Sequence, residues 1–356
     1  MFKNYNGDRN AAQQFCHLRS LSTRLGADPL QIQGAGGNTS IKLGDIMWIK
    51  ASGKWLMHAQ DEELFVPVKR QPLLDAIEAS DPRAEKSVDF VVDELNAQNL
   101  RPSIETTVHA VLEQRVVIHV HCVDTIALAI RLDAPSLLNS QLADFNWVFV
   151  PYIRPGLPLS RSISSLINAD TDVLVLGNHG VVVAADSVDE CLALLERVRL
   201  AVSVEPRRVQ ALPDSGAALA SRIAHSDYIP AKSPEAHSIA FDNIGLVIAA
   251  GGSLYPDHVI FLGDGTVIAE QNEDADKAVQ RCQRGGKQAP VSIIFPGEGV
   301  VLLGSATPGQ QALARCLSDV CLRVPEKAAI NYLSDAQNHE LLNWEAEQYR
   351  QALNKM

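Results

Sequence analysis

The chain contains no apolar run long enough to cross a bilayer, which excludes a helical membrane span. Its first residues, Met1-Phe2-Lys3-Asn4-Tyr5-Asn6-Gly7-Asp8, lack the basic segment followed by an apolar one that marks a secretory signal, so a cytoplasmic location is expected. Six cysteines, Cys16, Cys122, Cys191, Cys282, Cys316 and Cys321, are too scattered for a disulfide framework or a thiolate zinc site and read as reduced thiols. Positive charge is in deficit: the net charge of -11 opposes unspecific attraction to nucleic acid or anionic lipid. Repeats and low-complexity tracts are missing as well. What remains is a soluble enzyme-like composition, 46% hydrophobic and 21% charged, whose expected partner is a small molecule.

With 356 residues the chain exceeds a typical single domain. Five prolines and glycines, Pro206, Pro213, Gly216, Pro230 and Pro234, cluster after Glu205 and suggest a boundary there, with one unit over residues 1–205 and a smaller α/β module over 206–356. In the first part, helical spacing marks residues 10–25, 72–79, 86–95 and 125–130, and a helix over 187–200 that Ser187 caps with Glu190 three residues on. Glu105 opens a further helix. Residues 41–43 and 46–50 predict a hairpin turning at Gly44-Asp45, and further strands fall at 115–121, 147–153, 172–176 and 181–184. The second part predicts strands at 246–250, 259–262 and 291–295, a turn at Gly263-Asp264-Gly265 and a helix from Pro308.

On the strand over 115–121, His119 and His121 stand at i and i+2 and point to one face, which makes half a zinc shell. Asn178-His179-Gly180, at the end of the buried strand over 172–176, offers a third imidazole, and Glu105 an acid or base beside it. Three ligands leave an open position for water or a substrate oxygen, the mark of a catalytic metal rather than a structural one. Taken alone, the two strand histidines also fit an ordinary, partly solvated pair.

The ordered motifs Gly36-Gly37-Asn38-Thr39-Ser40, Ala51-Ser52-Gly53, Ser103-Ile104-Glu105, His119-Val120-His121 and Asn178-His179-Gly180 resemble those of the class II aldolase/adducin family over residues 10–205. The likeness is closest to the aldolase half of bifunctional rhamnulose-phosphate aldolase/dehydrogenase proteins and extends to Tyr255-Pro256-Asp257-His258. Nothing after Glu205 follows G-x-G-x-x-G, and Gly34-Ala35-Gly36-Gly37 leads into a hairpin, so a nicotinamide cofactor is not expected.

The resemblance implies a three-layer α/β/α domain, Zn2+ or another divalent metal held by His119, His121 and His179, and proton transfer by Glu105. It also implies a homo-oligomer, commonly a tetramer in the family, acting on a sugar or sugar phosphate. The implied reaction is retro-aldol cleavage of a ketose or ketose phosphate through a metal-stabilised enediolate. Epimerisation, decarboxylation or dehydration of a sugar-derived substrate would use the same chemistry. A non-catalytic adducin-like interaction module is the third reading, opposed by the retained histidines.

Glu105 is either the base or a fourth ligand that leaves when substrate enters. Backbone amides of Gly36, Gly37, Asn38, Ser52 and Gly53, with the hydroxyls of Ser52 and Ser103, are candidates for a phosphate nest, or Gly36 and Gly37 merely shape a turn. Apolar Ile104, where related phosphate users carry a hydroxyl, leaves room for an unphosphorylated substrate. Lys54 adds charge to that nest or lies on the surface. His109 braces Glu105 or packs in the core. Tyr152, Arg154 and the Asp257-His258 pair either approach substrate or do not.

Overall fold

The computed structural model describes residues 9–353. The chain forms two compact units: one takes in the chain up to Thr125 together with Ser136–Val202, the other Ile126–Pro135 together with the chain from Ser203 onward. The division thus falls at 202/203, close to the prolines after Glu205, and gives ten residues from the first half of the sequence to the second unit.

The first unit runs α1 (Arg9–Gly26), β1 (Asn38–Leu43), β2 (Ile46–Lys50), β3 (Phe65–Lys69), α2 (Arg70–Glu78), α3 (Thr106–Val111), β4 (Val116–Val120), α4 (Val123–Ala129, which crosses into the second unit), α5 (Ala134–Gln141), β5 (Trp147–Val150), α6 (Leu157–Leu166), β6 (Val173–Leu176), β7 (Gly180–Ala185) and α7 (Val188–Ala201). Its strands make one seven-stranded sheet in the order β3-β2-β1-β4-β7-β6-β5. Only β5 and β6 pair in parallel.

Alternation along the strands makes the sheet two-sided. Met47 and Ile49 of β2 and Val66 and Val68 of β3 pack with Leu73 of α2, Ala110 of α3 and Leu157 of α6. Their neighbours Trp48 and Phe65 face the other way, where Phe15 of α1 meets both rings edge-on at 5.5 and 5.2 Å. α7 lies beside α1 against β4 and β7. Helices therefore cover both faces, a three-layer α/β/α arrangement in which each large buried apolar side chain contributes about 1.5–3 kcal/mol. The β1–β2 turn pairs Leu43 with Ile46 and places Gly44 at φ 58°, the first turn position where a type II′ hairpin needs glycine. Ser187 caps α7 as its sequence predicts, accepting from the Glu190 N–H at 3.2 Å.

Residues 86–95 do not form the expected helix. They make short 3-10 turns over Ser87–Phe90 and Asp93–Leu95. The β-branched Val91 and Val92 bond instead to β3: Val91 bridges Val68, and Val92 donates to the Pro67 carbonyl at 2.9 Å.

The second unit holds α8 (Ser215–Ile223), β8 (Tyr228–Pro230), α9 (Asn243–Ala250), α10 (Pro256–Leu262), β9 (Val267–Ile268), α11 (Ala275–Arg284), β10 (Ser292–Phe295), β11 (Gly299–Leu303), α12 (Pro308–Cys321), α13 (Asp335–Asn343) and α14 (Glu345–Leu353). A four-stranded sheet in the order β8-β11-β10-β9 packs Ile293, Phe295 and Val301 against Leu219 of α8 and Ala275 and Ala278 of α11. The module is thus α/β. Two of its expected strands are helices. The apolar run at 246–250 belongs to α9, whose N-terminus is fixed by the Asp242 carboxylate accepting from the Gly245 N–H at 2.9 Å. The run at 259–262 belongs to α10, which starts with Pro256 in the first turn and Asp257 beside it. Gly263 and Gly265, at φ 99° and 77°, then turn the chain from α10 toward β9 instead of closing a hairpin.

Candidate metal centre

β4 lies in the middle of the large sheet, with Asn38 of β1 opposite His119 on one side and Val182 of β7 opposite it on the other. Both neighbours approach the strand end closely because glycine leaves room for them. A Cβ on Gly37, whose φ is 59°, would sit 2.9 Å from the His119 carbonyl oxygen, and one on Gly180 would sit 2.4 Å from that of Val120. The tight tripeptide turn 178–180 also uses Asn178 at φ 56°, a left-handed conformation that asparagine tolerates. It brings His179 back over the end of β4.

Three imidazoles result in one place. The ring centroids of His119, His121 and His179 are 4.8–5.0 Å apart. Glu105, the residue before α3, completes the group, and one potential ligand atom from each of the four buried residues lies within 4.8 Å of all the others. Glu105 Oε2 is 3.5 Å from His119 Nε2, and Oε1 is 3.6 Å from His179 Nε2. Ligands of a tetrahedral ion with bonds near 2.1 Å stand about 3.4 Å apart, so these separations fit one. Buried Glu105 Oε1 accepts no hydrogen bond, as expected of an oxygen directed at a cation. The donor set, three imidazoles and one carboxylate, suits a divalent metal.

Surrounding bonds orient these side chains. His119 Nδ1 lies 3.1 Å from the Val181 carbonyl, which can only accept, so Nδ1 carries the proton and Nε2 presents its lone pair toward the cluster. The Asn38 amide donates to Glu105 Oε2 at 2.6 Å. Burial works against the charged form of Glu105, but at the low pH where it titrates the imidazoles of His119, His179, His121 and His109 are themselves protonated, and their charge prevails and holds its carboxyl down at about 2. The His109 ring makes no hydrogen bond to Glu105. It is fully buried, shares a hydrogen bond of 2.8 Å with the Ser40 hydroxyl, and is pushed by burial down to about 3, which keeps it neutral.

The expected phosphate nest is more committed than the sequence suggests. The Gly36 N–H already donates to Gln33 and the Ser52 N–H to Arg101, while Ser103 Oγ accepts from the Glu105 N–H at 3.2 Å. The Asn38 side chain is engaged with Glu105. Ser52 Oγ, buried and without a hydrogen bond, and Gly53, at φ 73°, keep capacity for a ligand. Lys54 pairs with Glu62 at 2.8 Å on the surface. Arg154 is tied to Glu85 at 2.7 Å. His258 is neither a surface residue nor part of the cluster: it is fully buried in the second unit, receives the Leu254 N–H on Nδ1 at 3.2 Å and meets Thr266 Oγ1 through Nε2 at 3.3 Å.

Sequence reasoning missed Lys50. Its side chain is buried at the end of β2, and its ammonium donates to the carbonyls of Ala35 and Gly37 at 2.6 and 2.9 Å, with Gly36 at 3.4 Å. The available signal was a charge ending the otherwise apolar run Ile46-Met47-Trp48-Ile49.

Comparison with known proteins gives a family. The model of the class II aldolase and adducin N-terminal domain matches residues 19–205. Among curated proteins the chain is similar to YuxG of Bacillus subtilis (strain 168), described as an uncharacterized oxidoreductase, with 28% identity over 182 residues, 48% of this chain and 26% of that protein. The chain therefore spans about a quarter of the length of that relative. Among solved structures it is similar to the N-terminal class II aldolase domain of a conserved protein from Thermoplasma acidophilum, at 22% identity and TM-score 0.44, covering 57% of this chain and all of that one. It is also similar to the L-fuculose-1-phosphate aldolase of Thermus thermophilus, at 16% identity and TM-score 0.38, covering 54% of this chain and 91% of that one.

Proposed function

Because the chain belongs to the class II aldolase and adducin N-terminal domain family, we propose that it is a metal-dependent carbon–carbon lyase that cleaves a ketose or ketose phosphate by a retro-aldol reaction. The observation that carries this reading is the buried cluster of Glu105, His119, His121 and His179. An adducin-like interaction module has no use for such a cluster, whose assembly in the interior costs desolvation of a carboxylate. His119, His121 and His179 would hold the cation, zinc in the first instance, as neutral ligands that leave room for substrate oxygens.

When bound, the cation supplies a Lewis acid that withdraws electrons from the substrate carbonyl. The chain supplies the proton handling. Glu105 Oε1 takes a proton from the donor carbon in the synthetic direction and returns it in cleavage. Asn38, bonded to Oε2, leaves Oε1 as the oxygen directed to that carbon. Before substrate enters, the same carboxylate lies close enough to serve as a fourth ligand, so its two roles belong to successive states of one site. Ser52 Oγ and the backbone at Gly53 recognise the far end of the donor, whether hydroxyl or phosphate. Homo-oligomeric assembly and a cytoplasmic setting complete the proposal.

The test is proton NMR in deuterated water, following exchange at the donor carbon of dihydroxyacetone phosphate, dihydroxyacetone, pyruvate and glycolaldehyde, with and without a chelator. Chelator-sensitive exchange in dihydroxyacetone or its phosphate is expected. Metal-loaded protein that exchanges none of the four would overturn the aldolase reading and turn attention to epimerisation, dehydration or decarboxylation.

A further inference from the structure

Lys50 is a long cation in a place where water does not reach it. A buried charge is costly unless its hydrogen bonds are met, and an ammonium has three donors. Here three successive backbone carbonyls, those of Ala35, Gly36 and Gly37, stand at 2.6, 3.4 and 2.9 Å from Nζ. All three belong to the loop that enters β1. The carbonyl of Gly37 is part of the peptide that joins Gly37 to Asn38, so the bond to Lys50 fixes the plane from which Asn38 departs. Asn38 in turn is buried and places its amide 2.6 Å from Glu105 Oε2. Gly37 itself is held in a left-handed conformation against the His119 carbonyl, where a Cβ would overlap at 2.9 Å. One loop is thus pinned from two sides, by the Lys50 ammonium and by β4, and the first strand residue after it holds the acid/base.

We propose that Lys50 is a positioning residue: its ammonium clamps the 35–37 carbonyls so that Asn38 presents its amide to Glu105. The inference rests on the reading of Glu105 as the acid/base. It also sets Lys50 apart from a role as a ligand for a substrate anion, because the three donors are directed at the loop. A cation on the loop's carbonyls draws three backbone dipoles together that would otherwise repel one another, which is why an apolar substitute of the same length does not replace it.

The experiment compares Lys50→Met, Asn38→Ala and the double variant in two ways. The first is donor-carbon exchange as a function of donor concentration. The second is the 1H–15N signal of the Asn38 side-chain amide in protein labelled with 15N only at asparagine, assigned by its loss in Asn38→Ala. Lys50→Met should lower kcat by about 10–100-fold, the usual cost of an outer-shell change, with KM changed less than about 2-fold. It should also move the Asn38 amide signal toward those of exposed asparagines. If Lys50 acts through Asn38, the double variant is no slower than Asn38→Ala alone within about 2-fold. Lys50→Arg, which keeps the charge and the donors, should return the amide signal most of the way and guards against a Met variant that fails to fold.

A rise in KM of about tenfold or more at unchanged kcat would make Lys50 an anion ligand and overturn the inference. So would an Asn38 amide signal that does not move in Lys50→Met. Should the native protein exchange no donor, the lyase reading fails on its own, and the amide signal still decides what Lys50 does.

Discussion

The Nδ1–H of His119 is held by the carbonyl of Val181, 3.1 Å away on the neighbouring strand, and this bond turns Nε2 toward Glu105. Sheet pairing therefore sets the tautomer of a metal-ligand candidate: the residue opposite His119 in β7 is Val182, and the carbonyl just before it takes the ring proton. A register shift of one residue between β4 and β7 would turn that imidazole to the other face.

His121→Ala removes one of the three imidazoles and leaves the sheet pairing intact, since His121 lies just beyond the end of β4. Zinc affinity should fall by more than the ~10–100-fold that outer-shell changes cost. Metal content after dialysis, measured by elemental analysis, checks this. Native-like zinc retention would remove His121 from the ligand set.

Glu105→Gln keeps the shape of the side chain and its place before α3 but removes the carboxylate that the proposed reaction uses as its base. Metal binding should persist while donor-carbon exchange drops by about 100–10,000-fold. A Glu105→Gln variant that exchanges donor protons at the native rate would sink the mechanism.

Gly180→Ala tests the close approach of β7 to β4. The added Cβ would meet the Val120 carbonyl oxygen at 2.4 Å, backbone against backbone, with no flexible end to yield. A loss of about 1–3 kcal/mol in denaturant unfolding is expected, with metal affinity reduced alongside because His179 precedes the strained residue. Unfolding at the native midpoint would contradict the close packing.

Lys42 gives the stability a pH signature. Burial, and then the charge of Arg70, push its ammonium down to about 7 from the ordinary 10.5, although Nζ donates to the Gln114 carbonyl. Above about pH 7 the unfolded chain holds a proton at Lys42 that the folded chain has released. Stability from this residue therefore rises with pH, by up to ~1.4 kcal/mol per pH unit, and is lost as pH falls through about 7. The clean window is about pH 7 to 9. Beyond it, the thiols of Cys191, Cys316 and Cys321, pushed up by burial, stay protonated in the fold and ionise on unfolding, so they pull the other way. Lys42→Met should flatten the rise between about pH 7 and 9 in urea unfolding; an unchanged slope would mean that Lys42 is charged in the fold at neutral pH.

His119 on β4 and His121, one residue past its end, were legible as a pair because period-two backbone leaves only one face for positions 119 and 121, and the cap of α7 because Ser187 and Glu190 carry a local signal. The runs in α9 and α10 were not, since short apolar stretches look alike as buried strand or buried helix and only their capping geometry separates them. The hold of Asn38 on Glu105 joins residues 67 positions apart and has no local trace. Lys50 escaped notice for a different reason: its partners are backbone carbonyls, which any sequence could provide.

The ten residues that leave the first half of the chain for the second unit make the peptide bond between the halves redundant there. Leu132 N–H donates to Ala329 at 2.9 Å, Asn331 N–H to Ile130 at 2.7 Å, and Arg207 grips Asp242 and the Cys321 carbonyl. A protease that nicks the exposed stretch near Ala211 would leave two fragments, each carrying part of the same small module. They should separate on a denaturing gel yet elute together in native gel filtration, as a protein stitched by its own interior rather than by its thread.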